Sequence, residues 1–491
     1  MMQYFNSSHA NSSDANSSLI KPVNIKLICL AIAAVLLAGC KSVGPDYERP
    51  QLPLPAQYGE GENQTQAQAQ AQVLSTWWML YQDQILNDLI TKALLNNTDV
   101  KLAVARIEEA DAVMQEVGAA LYPQVDLNVN GGRSRVTEVG AIPAITNPRS
   151  NYKTQLGTSF EIDFWGKFRR AKESARAQAL SSRYAKETVK LTLTGLVATN
   201  YLVLRSLESQ ISLTQDNLKS RDESLALTQR RLEGGVASAL DVHQAEVASA
   251  NLSAQLAELT RLRALSLHQL AVLTGTLDLN IAAADISTMP IPPTPPAGLP
   301  SSLLEARPDV RQAEQQMIAA NANIGVAKAA LYPSISLTAS LGGESLALGD
   351  ILKSAARIWT GGVSLYLPIF DSGKINSRIA QTSAKQKQAL ASYEGVVQNA
   401  FREVNDALVN LRQNTERETA LNKSQIAAKK ALVVSENRYK SGYSGYLDVL
   451  DAQRVYNDNA LAFIQSRQSR LTAGVSLFKT LGGGWQAETI Q

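Results

Sequence analysis

The sequence predicts a mixed α/β protein built from two copies of one unit, each combining a pair of strands with a long helical hairpin. Three observations carry this prediction. Several motifs occur twice at nearly constant spacing, and two segments of more than 120 residues contain no proline. In both copies the hydrophobic period changes from that of a strand to that of a helix at corresponding places.

The internal repeat is visible in three pairs of motifs. Ala119-Ala-Leu-Tyr-Pro123 returns at 329–333, Phe164-Trp-Gly-Lys167 aligns with Asp371-Ser-Gly-Lys374, and Leu240-Asp-Val242 returns at 447–449. The copies are therefore offset by 207 to 210 residues. This period is far too long for a stacked solenoid, so we expect two pseudo-equivalent lobes side by side in one protomer.

The proline-free segments predict long helices, because proline breaks helix interiors. They lie between Pro148 and Pro290 and after Pro368, and they are rich in good helix formers. A heptad stripe, typical of coiled coils, runs through Val197, Leu204, Ile211, Leu218, Leu225 and Leu232, and more briefly through Val397, Val404 and Leu411. Glycines interrupt each segment once, at 233–241 and 440–448, which predicts two helical hairpins. A first arm over 167–232 would span about 100 Å.

Alternating segments before each hairpin predict two strands per copy, four in all. The apolar members are Val125, Leu127 and Val129; Leu156, Phe160, Ile162 and Phe164; Ile335, Leu337, Ala339 and Leu341; and Val363, Leu365, Leu367 and Ile369. A period of two gives each strand one apolar and one polar face. Transmembrane β-strands show this pattern, although a surface hairpin of a soluble protein would look the same. Four strands cannot close a barrel alone.

The N-terminus resembles a bacterial lipoprotein signal peptide. Lys26 precedes an apolar run over 27–39, which is too short to span a bilayer. Leu37-Ala-Gly-Cys40 reads as a lipobox, so we expect cleavage after residue 39 and a lipid on Cys40. Lys41, in place of Asp, favours sorting to the outer membrane. A buried apolar leader with a chance cysteine is the alternative, and a start codon downstream of Met1 is also possible.

Composition excludes several classes of function. The formal net charge is +3 and no basic cluster occurs, so nucleic acid is not an expected partner. His243 and His268 lack metal-binding neighbours, and no nucleophile and base form a pair, so we expect neither a metal site nor an enzyme. After the leader no run of eighteen apolar residues occurs. If the mature chain spans a membrane, it must therefore do so with strands.

Several further motifs complete a recognisable set. They are Thr76-Trp-Trp, Asn96-Asn-Thr-Asp99, the two Leu-Tyr-Pro sites, Phe164-Trp-Gly-Lys167 and the stretch from Gly442 to Arg454. With the lipobox, this ordered set resembles the TolC-like outer membrane factors, in particular the OprM/NodT-type efflux lipoproteins of tripartite RND pumps. The resemblance covers essentially the whole mature chain.

The resemblance implies a mixed α/β membrane protein that forms a homotrimer. Four strands per protomer would close a 12-stranded transmembrane β-barrel, which continues into a long α-helical coiled-coil tunnel in the periplasm. Such proteins passively export small molecules, including antibiotics, and are opened at the periplasmic tip by partner binding. The implied partners are a periplasmic adaptor, an inner-membrane RND-type transporter and outer-membrane lipid. No cofactor is implied apart from covalent lipid, palmitate included, on Cys40.

The resemblance also marks a periplasmic gate at the hairpin turns. By position, the gate residues would be Asp241, Tyr439, Leu447, Asp448, Asp451 and Arg454. TolC itself has an arginine two residues after the second-copy glycine, whereas this chain has Ser444. That link between hairpins should be absent, leaving closure to Leu447, Asp451 and Arg454. An Asp in the first turn of a helix can, however, serve only to cap it.

The expected domain map follows the repeat. It comprises a signal peptide (1–39), a lipid anchor and mobile N-terminal segment (40–76), a first efflux repeat (77–289), a Pro-rich linker (290–300), a second repeat (301–481) and a C-terminal tail (482–491). A pore-less periplasmic coiled-coil scaffold or adaptor lipoprotein is the alternative function, and a lipid-anchored hydrolase is a third. The exported substrate cannot be read from the sequence.

Overall fold

The computed structural model describes residues 42–53, 55, 58, 76–137, 139, 147–293 and 307–483. The signal peptide, Cys40 and the low-complexity segment 61–72 lie outside these residues, as do most of the proline-rich linker and of the C-terminal tail.

Both copies have the same order of elements along the chain: a helix comes first, two strands follow it, and two long helices follow the strands. The first copy contains a 3-10 turn at Trp77–Tyr81, α1 (Gln84–Asn96), α2 (Thr98–Ala119), β1 (Gln124–Ser134), β2 (Arg149–Ile162), α3 (Lys167–Glu233) and α4 (Ala239–Thr274). The second contains α5 (Pro308–Ala329), β3 (Ser334–Ser345), β4 (Arg357–Tyr366), α6 (Lys374–Lys440) and α7 (Tyr446–Thr480). The predicted hairpins and strand pairs are confirmed. Within the described ranges, no helix combines the length and hydropathy needed to cross a bilayer.

Two predicted strand ends are wrong by a few residues. Phe164 follows β2 in a tight turn, where its N–H donates to the carbonyl of Ile162 at 2.8 Å. Leu367 and Ile369 follow β4, because Pro368 between them has no N–H to continue a ladder. The alternation of apolar residues therefore runs past the point where strand pairing stops.

The strands form one antiparallel sheet in the order β1-β2-β3-β4, with the two copies joined at the β2–β3 pair. The register aligns residues of like polarity across all four strands. An apolar row is Leu127, Leu156, Leu341 and Trp359. The adjacent polar row is Asp126, Gly157, Ser340 and Thr360. One face of the sheet is thus apolar and the other polar.

The apolar face of the sheet is uncovered. Leu127 is 63% exposed, Trp359 78% and Val363 72%. The outer edges of β1 and β4 pair with no other strand of the described residues. All four long helices lie beyond one end of the sheet, since both hairpins start directly after β2 and β4.

The helices hold the two copies together at the middle of the molecule. The heptad residues Val197 and Leu204 on α3 are fully buried, as is Val404 on α6. Trp77 stacks on Phe478 of α7, with ring centroids 5.8 Å apart. Tyr81 donates to the carbonyl of Leu471 on the same helix. The first and last ordered elements therefore share one core.

A buried polar network ties the segment after α4 to α3. Arg205 donates to Glu208 at 3.0 Å and to the carbonyl of Ala282 at 2.7 Å. Glu208 also accepts from Arg263 and from the backbone N–H of Ala284. Because each buried charge has several partners, the network fixes this segment without leaving an unpaired ion.

The segment 42–53 lies against both copies. Val43 N donates to the carbonyl of Trp165, and Asn321 of α5 donates to the carbonyl of Pro45, both at 3.0 Å. Arg49 pairs with Glu314 of α5 at 3.1 Å. Gly44 and Gly325 make the closest approach, where a Cβ on Gly325 would lie 2.6 Å from the carbonyl oxygen of Val43.

We expect Gly325→Ala to displace the segment 42–53, because its Cβ would collide with backbone that cannot rotate away. The variant should have a lower Tm and faster protease cleavage within 42–53. Gly395→Ala on α6 is the matched control, because its Cβ meets nothing within 4 Å. It should gain about 0.5–1 kcal/mol from the better helix former. Equal protease protection in both variants would contradict this packing.

Candidate functional site at the hairpin tips

The two hairpin turns are built alike. In the first, Gly235 has φ 72°, Gly235 N donates to Leu232 O, and Val236 N donates to Arg231 O. In the second, Gly442 has φ 81°, with the equivalent bonds to Tyr439 O and from Tyr443 N to Arg438 O. Paired bonds of this kind around a left-handed glycine end a helix. The predicted interruptions are therefore true helix ends at both tips.

Asp241 caps its own helix. Its Oδ2 accepts from the N–H and the hydroxyl of Ser238, and the Asp241 N–H donates back to the Ser238 hydroxyl. This reciprocal capping box satisfies free donors at the start of α4. The side chain of Asp241 thus has a complete structural role within the protomer.

Tyr439 joins the two hairpins of one protomer. Its ring is 9% exposed and lies 5.5 Å from the ring of Tyr446. The guanidinium of Arg231, at the end of α3, lies over it at 4.6 Å. Together with Ala245 and Val449 these rings form a small core at the tips. A cation over an aromatic face contributes about 0.5–1 kcal/mol at such sites.

The remaining candidates lie at the surface of α7. Asp451 and Arg454 pair at 2.7 Å, with side chains 61% and 71% exposed. Leu447 is 63% exposed, and Asp448 is exposed in the first turn of α7. Among the described residues, the expected closing contacts of Leu447, Asp451 and Arg454 do not link hairpins within a protomer, because the ion pair is intrahelical. An exposed pair of this type contributes only about 0.2–1 kcal/mol.

A groove of about 700 Å³ lies between α4 and α7 just above the turns. Leu447, Asp451 and Arg454 line it from α7, and His243 lines it from α4. Arg221 of α3 also lines it, although only 8% of that residue is exposed. Burial lowers the pKa of Arg221, and the nearby Tyr446 only partly offsets this effect.

Sequence reasoning missed Arg221, Arg231 and Tyr446. A signal for Arg221 was present in the heptad register. Three residues after each stripe position comes the second core position of a coiled coil, which here holds Leu207, Thr214, Arg221 and Thr228, all buried. A charged residue such as arginine is unusual at a core position of a coiled coil. Arg231 and Tyr446 carry no comparable pattern.

Comparison with known proteins identifies the class. The model of the outer membrane efflux protein family matches residues 89–276 and 299–483, once in each copy. The probable efflux pump outer membrane protein TtgC of Pseudomonas putida is 34% identical, covering 95% of this chain and 97% of its own. The cation efflux system protein CusC of Escherichia coli is 30% identical, covering 95% and 99%.

Solved structures of outer-membrane channels have a similar fold. The outer-membrane channel OprN superimposes with a TM-score of 0.83 at 29% identity, covering 90% of this chain and 99% of its own. The open state of the MtrE channel of Neisseria gonorrhoeae gives 0.81 at 30% identity, covering 92% and 100%.

The fold is thus that of an outer-membrane efflux channel, with a strand domain joined to a helical tunnel. The chain belongs to the outer membrane efflux protein family. It is the outer-membrane channel component of an efflux system, extending into the periplasm, and a transport component rather than an enzyme. The prediction from sequence is confirmed in this respect, and the pore-less scaffold is not supported.

If Asp241 acts as a cap, Ser238→Ala and Asp241→Ala should have equal effects. Each should cost about 0.5–2 kcal/mol of local stability. Hydrogen exchange of the first turn of α4 measures this loss. The double variant should cost no more than either single one, because both break the same box. An increase in channel conductance with Asp241→Ala but not with Ser238→Ala would instead assign Asp241 to a gate.

Proposed function

We propose that three copies of the chain close a 12-stranded transmembrane barrel, four strands from each, above a continuous helical tunnel. The observation that carries this proposal is the two-faced sheet with unpaired edges on β1 and β4. In lipid every backbone group must be paired, so an open sheet is not viable. Pairing β4 of one copy with β1 of the next removes all edges. The number three comes from the resemblance to TolC-like channels.

The apolar row would then face lipid and the polar row would face water. Val363→Arg, on the apolar face, should cost about 2–4 kcal/mol near the bilayer midplane. Ser364→Arg is the matched control one residue along β4, where the side chain points to the lumen. We expect Val363→Arg to reduce strongly the amount of trimer recovered from outer membranes. If Ser364→Arg instead reduced the amount of trimer more than Val363→Arg, the assignment of the lipid-facing and water-facing sides would be reversed.

We propose that Cys40 carries the covalent lipid at the membrane boundary where the strands lead into the helices. Ser42 contacts Gly166 directly after β2, and two residues reach at most about 7 Å. Trp165 stacks on Tyr332 at 4.6 Å beside this point. Aromatic girdles mark the membrane interfaces of β-barrels. An acyl chain on Cys40 would therefore enter the leaflet next to the strands.

The anchor can be tested by mass spectrometry of the mature N-terminal peptide. We expect wild-type protein to carry acyl mass, palmitate included, on Cys40 and to begin at that residue. Cys40→Ala should lose the acyl mass and leave the leader uncleaved at residue 39. An unmodified Cys40 in mature wild-type protein would contradict the proposal.

We propose a gate at the hairpin tips, formed by Asp241, Tyr439, Leu447, Asp448, Asp451 and Arg454. Tyr439 holds the two hairpins of each protomer together, while the exposed Leu447 and Asp451 are free to meet other copies. Charge-assisted bonds contribute about 1.5–3 kcal/mol when buried and exposed pairs about 0.2–1 kcal/mol. Three symmetric sets between these limits would hold the gate by a few kcal/mol. A partner that prefers the open state by about 5.5 kcal/mol could move it from mostly shut to mostly open.

We expect Leu447→Ala with Asp451→Ala to raise the single-channel conductance of the reconstituted trimer, because both remove contacts that only a closed tip can make. Lys219→Met, an exposed charge removed from α3, is the control and should conduct like wild type. A double variant with wild-type conductance would rule these two residues out as the latch.

We propose that the tip binds a periplasmic adaptor and, through it, an inner-membrane RND-type transporter. Helix α3 has 67 residues and reaches about 100 Å from the sheet, so the tips would lie deep in the periplasm. Relatives of similar identity are named for different substrates, including toluene at 34% and cations at 30%. This variety of named substrates supports a passive role for the channel, with substrate selection by another component of the pump.

A further inference from the structure

Arg221 differs from the other deeply buried arginines of the described chain. Arg170 pairs with Asp46 and Glu173, Arg205 with Glu208, and Arg307 with Asp309 and Glu403. Each of these three is less than 9% exposed. Arg221 is 8% exposed and makes no ion pair or hydrogen bond with any described residue. No nitrogen of Arg221 is among the fully buried unpaired atoms of the described residues, so its guanidinium opens onto the groove, where an external anion can reach it.

Arg221 lies near both the tip core and the groove. Tyr446, part of the tip core, is its electrostatic neighbour and favours the charged guanidinium. Arg221 also lines the groove between α4 and α7. The neutral polar lining of the groove consists of carboxamides, which are Gln244, Asn251, Gln255 and Asn457. An anion that enters the groove would meet these side chains and the Arg221 guanidinium, because the second guanidinium, that of Arg454, is paired with Asp451.

The titratable groups at the rim are mixed in sign. Asp451 is already paired with Arg454, and His243 contacts Glu246. Asp458 also lines the groove. These acids lie on exposed helix surface, where water screens them, whereas Arg221 is mostly buried and its charge is screened less. The deepest point of the groove therefore favours an anion despite the acids at its rim.

We propose that Arg221 is an anion-binding residue that receives the carboxylate of an acidic side chain from a helix of the periplasmic partner. A planar guanidinium matches a carboxylate through two parallel hydrogen bonds, which is the strong form of such contacts. The groove lies between two helices and is open to solvent, so a helix from a partner can approach it. This inference rests on the proposed binding of a periplasmic partner at the tips.

The anion site itself can be tested without the partner, with acetate as the probe. Wild-type protein in detergent should show a rise in Tm with sodium acetate beyond that with sodium chloride at equal ionic strength, because binding to the folded state stabilises it. Arg221→Met should lose this difference, and Lys219→Met should keep it. The Tm of Arg221→Met without acetate should equal or exceed that of wild type, since a desolvated charge is replaced by a side chain of similar length.

An acetate response that is absent from wild type, or equal in Arg221→Met, would overturn the site. Arg221→Lys keeps the positive charge but removes the planar guanidinium. It should respond more weakly than wild type, because an ammonium cannot form the bidentate pair.

The source of the carboxylate can be tested by charge exchange in cells. A photo-crosslinker at Ala248, on the groove, should capture the partner and identify the docked helix. Arg221→Glu should reduce the crosslink about tenfold or more. Replacing the responsible partner acid by arginine should restore it. A crosslink unaffected by Arg221→Glu, or a docked helix without an acid, would overturn the partner assignment. Single-channel conductance of wild type reports separately on the channel itself.

Discussion

Unpaired backbone at the two outer edges of the sheet is the constraint on which the rest of the protein depends. A four-stranded sheet with an uncovered apolar face has no stable place in water, and its free edges have none in lipid. The proposed closure with further copies would solve both problems. The long hairpins would then lie side by side, because each strand pair leads into a helix.

The sequence was most informative where a period is long and regular. The first helical arm was predicted as 167–232 and extends over Lys167–Glu233, because a long stretch of good helix formers without proline favours one continuous helix. The ends of β2 and β4 were overestimated because side-chain alternation at Phe164 and Ile369 continues after hydrogen bonding stops. At the tips, sequence patterns could mark Asp241 but could not show whether it caps a helix or meets another hairpin.

Contacts between distant segments were the least predictable. Arg231 meets Tyr439 across two hairpins that are separated by about two hundred residues, and no periodicity reports such a pair. The missing partner of Arg221 is likewise a property of packing. Its position in the heptad is visible in the sequence, but its isolation appears only when every neighbouring side chain is in place.

The shared core of Trp77, Tyr81 and the last helix has a consequence for biogenesis. Tyr81 bonds a carbonyl that lies 390 residues further along the chain. A polypeptide exported N-terminus first would hold these aromatic rings exposed until nearly all of it had crossed the inner membrane. Contacts of such long range also slow folding. The core of the first copy can therefore be completed only after the last helix has been exported, and the duplicated halves cannot mature one after the other.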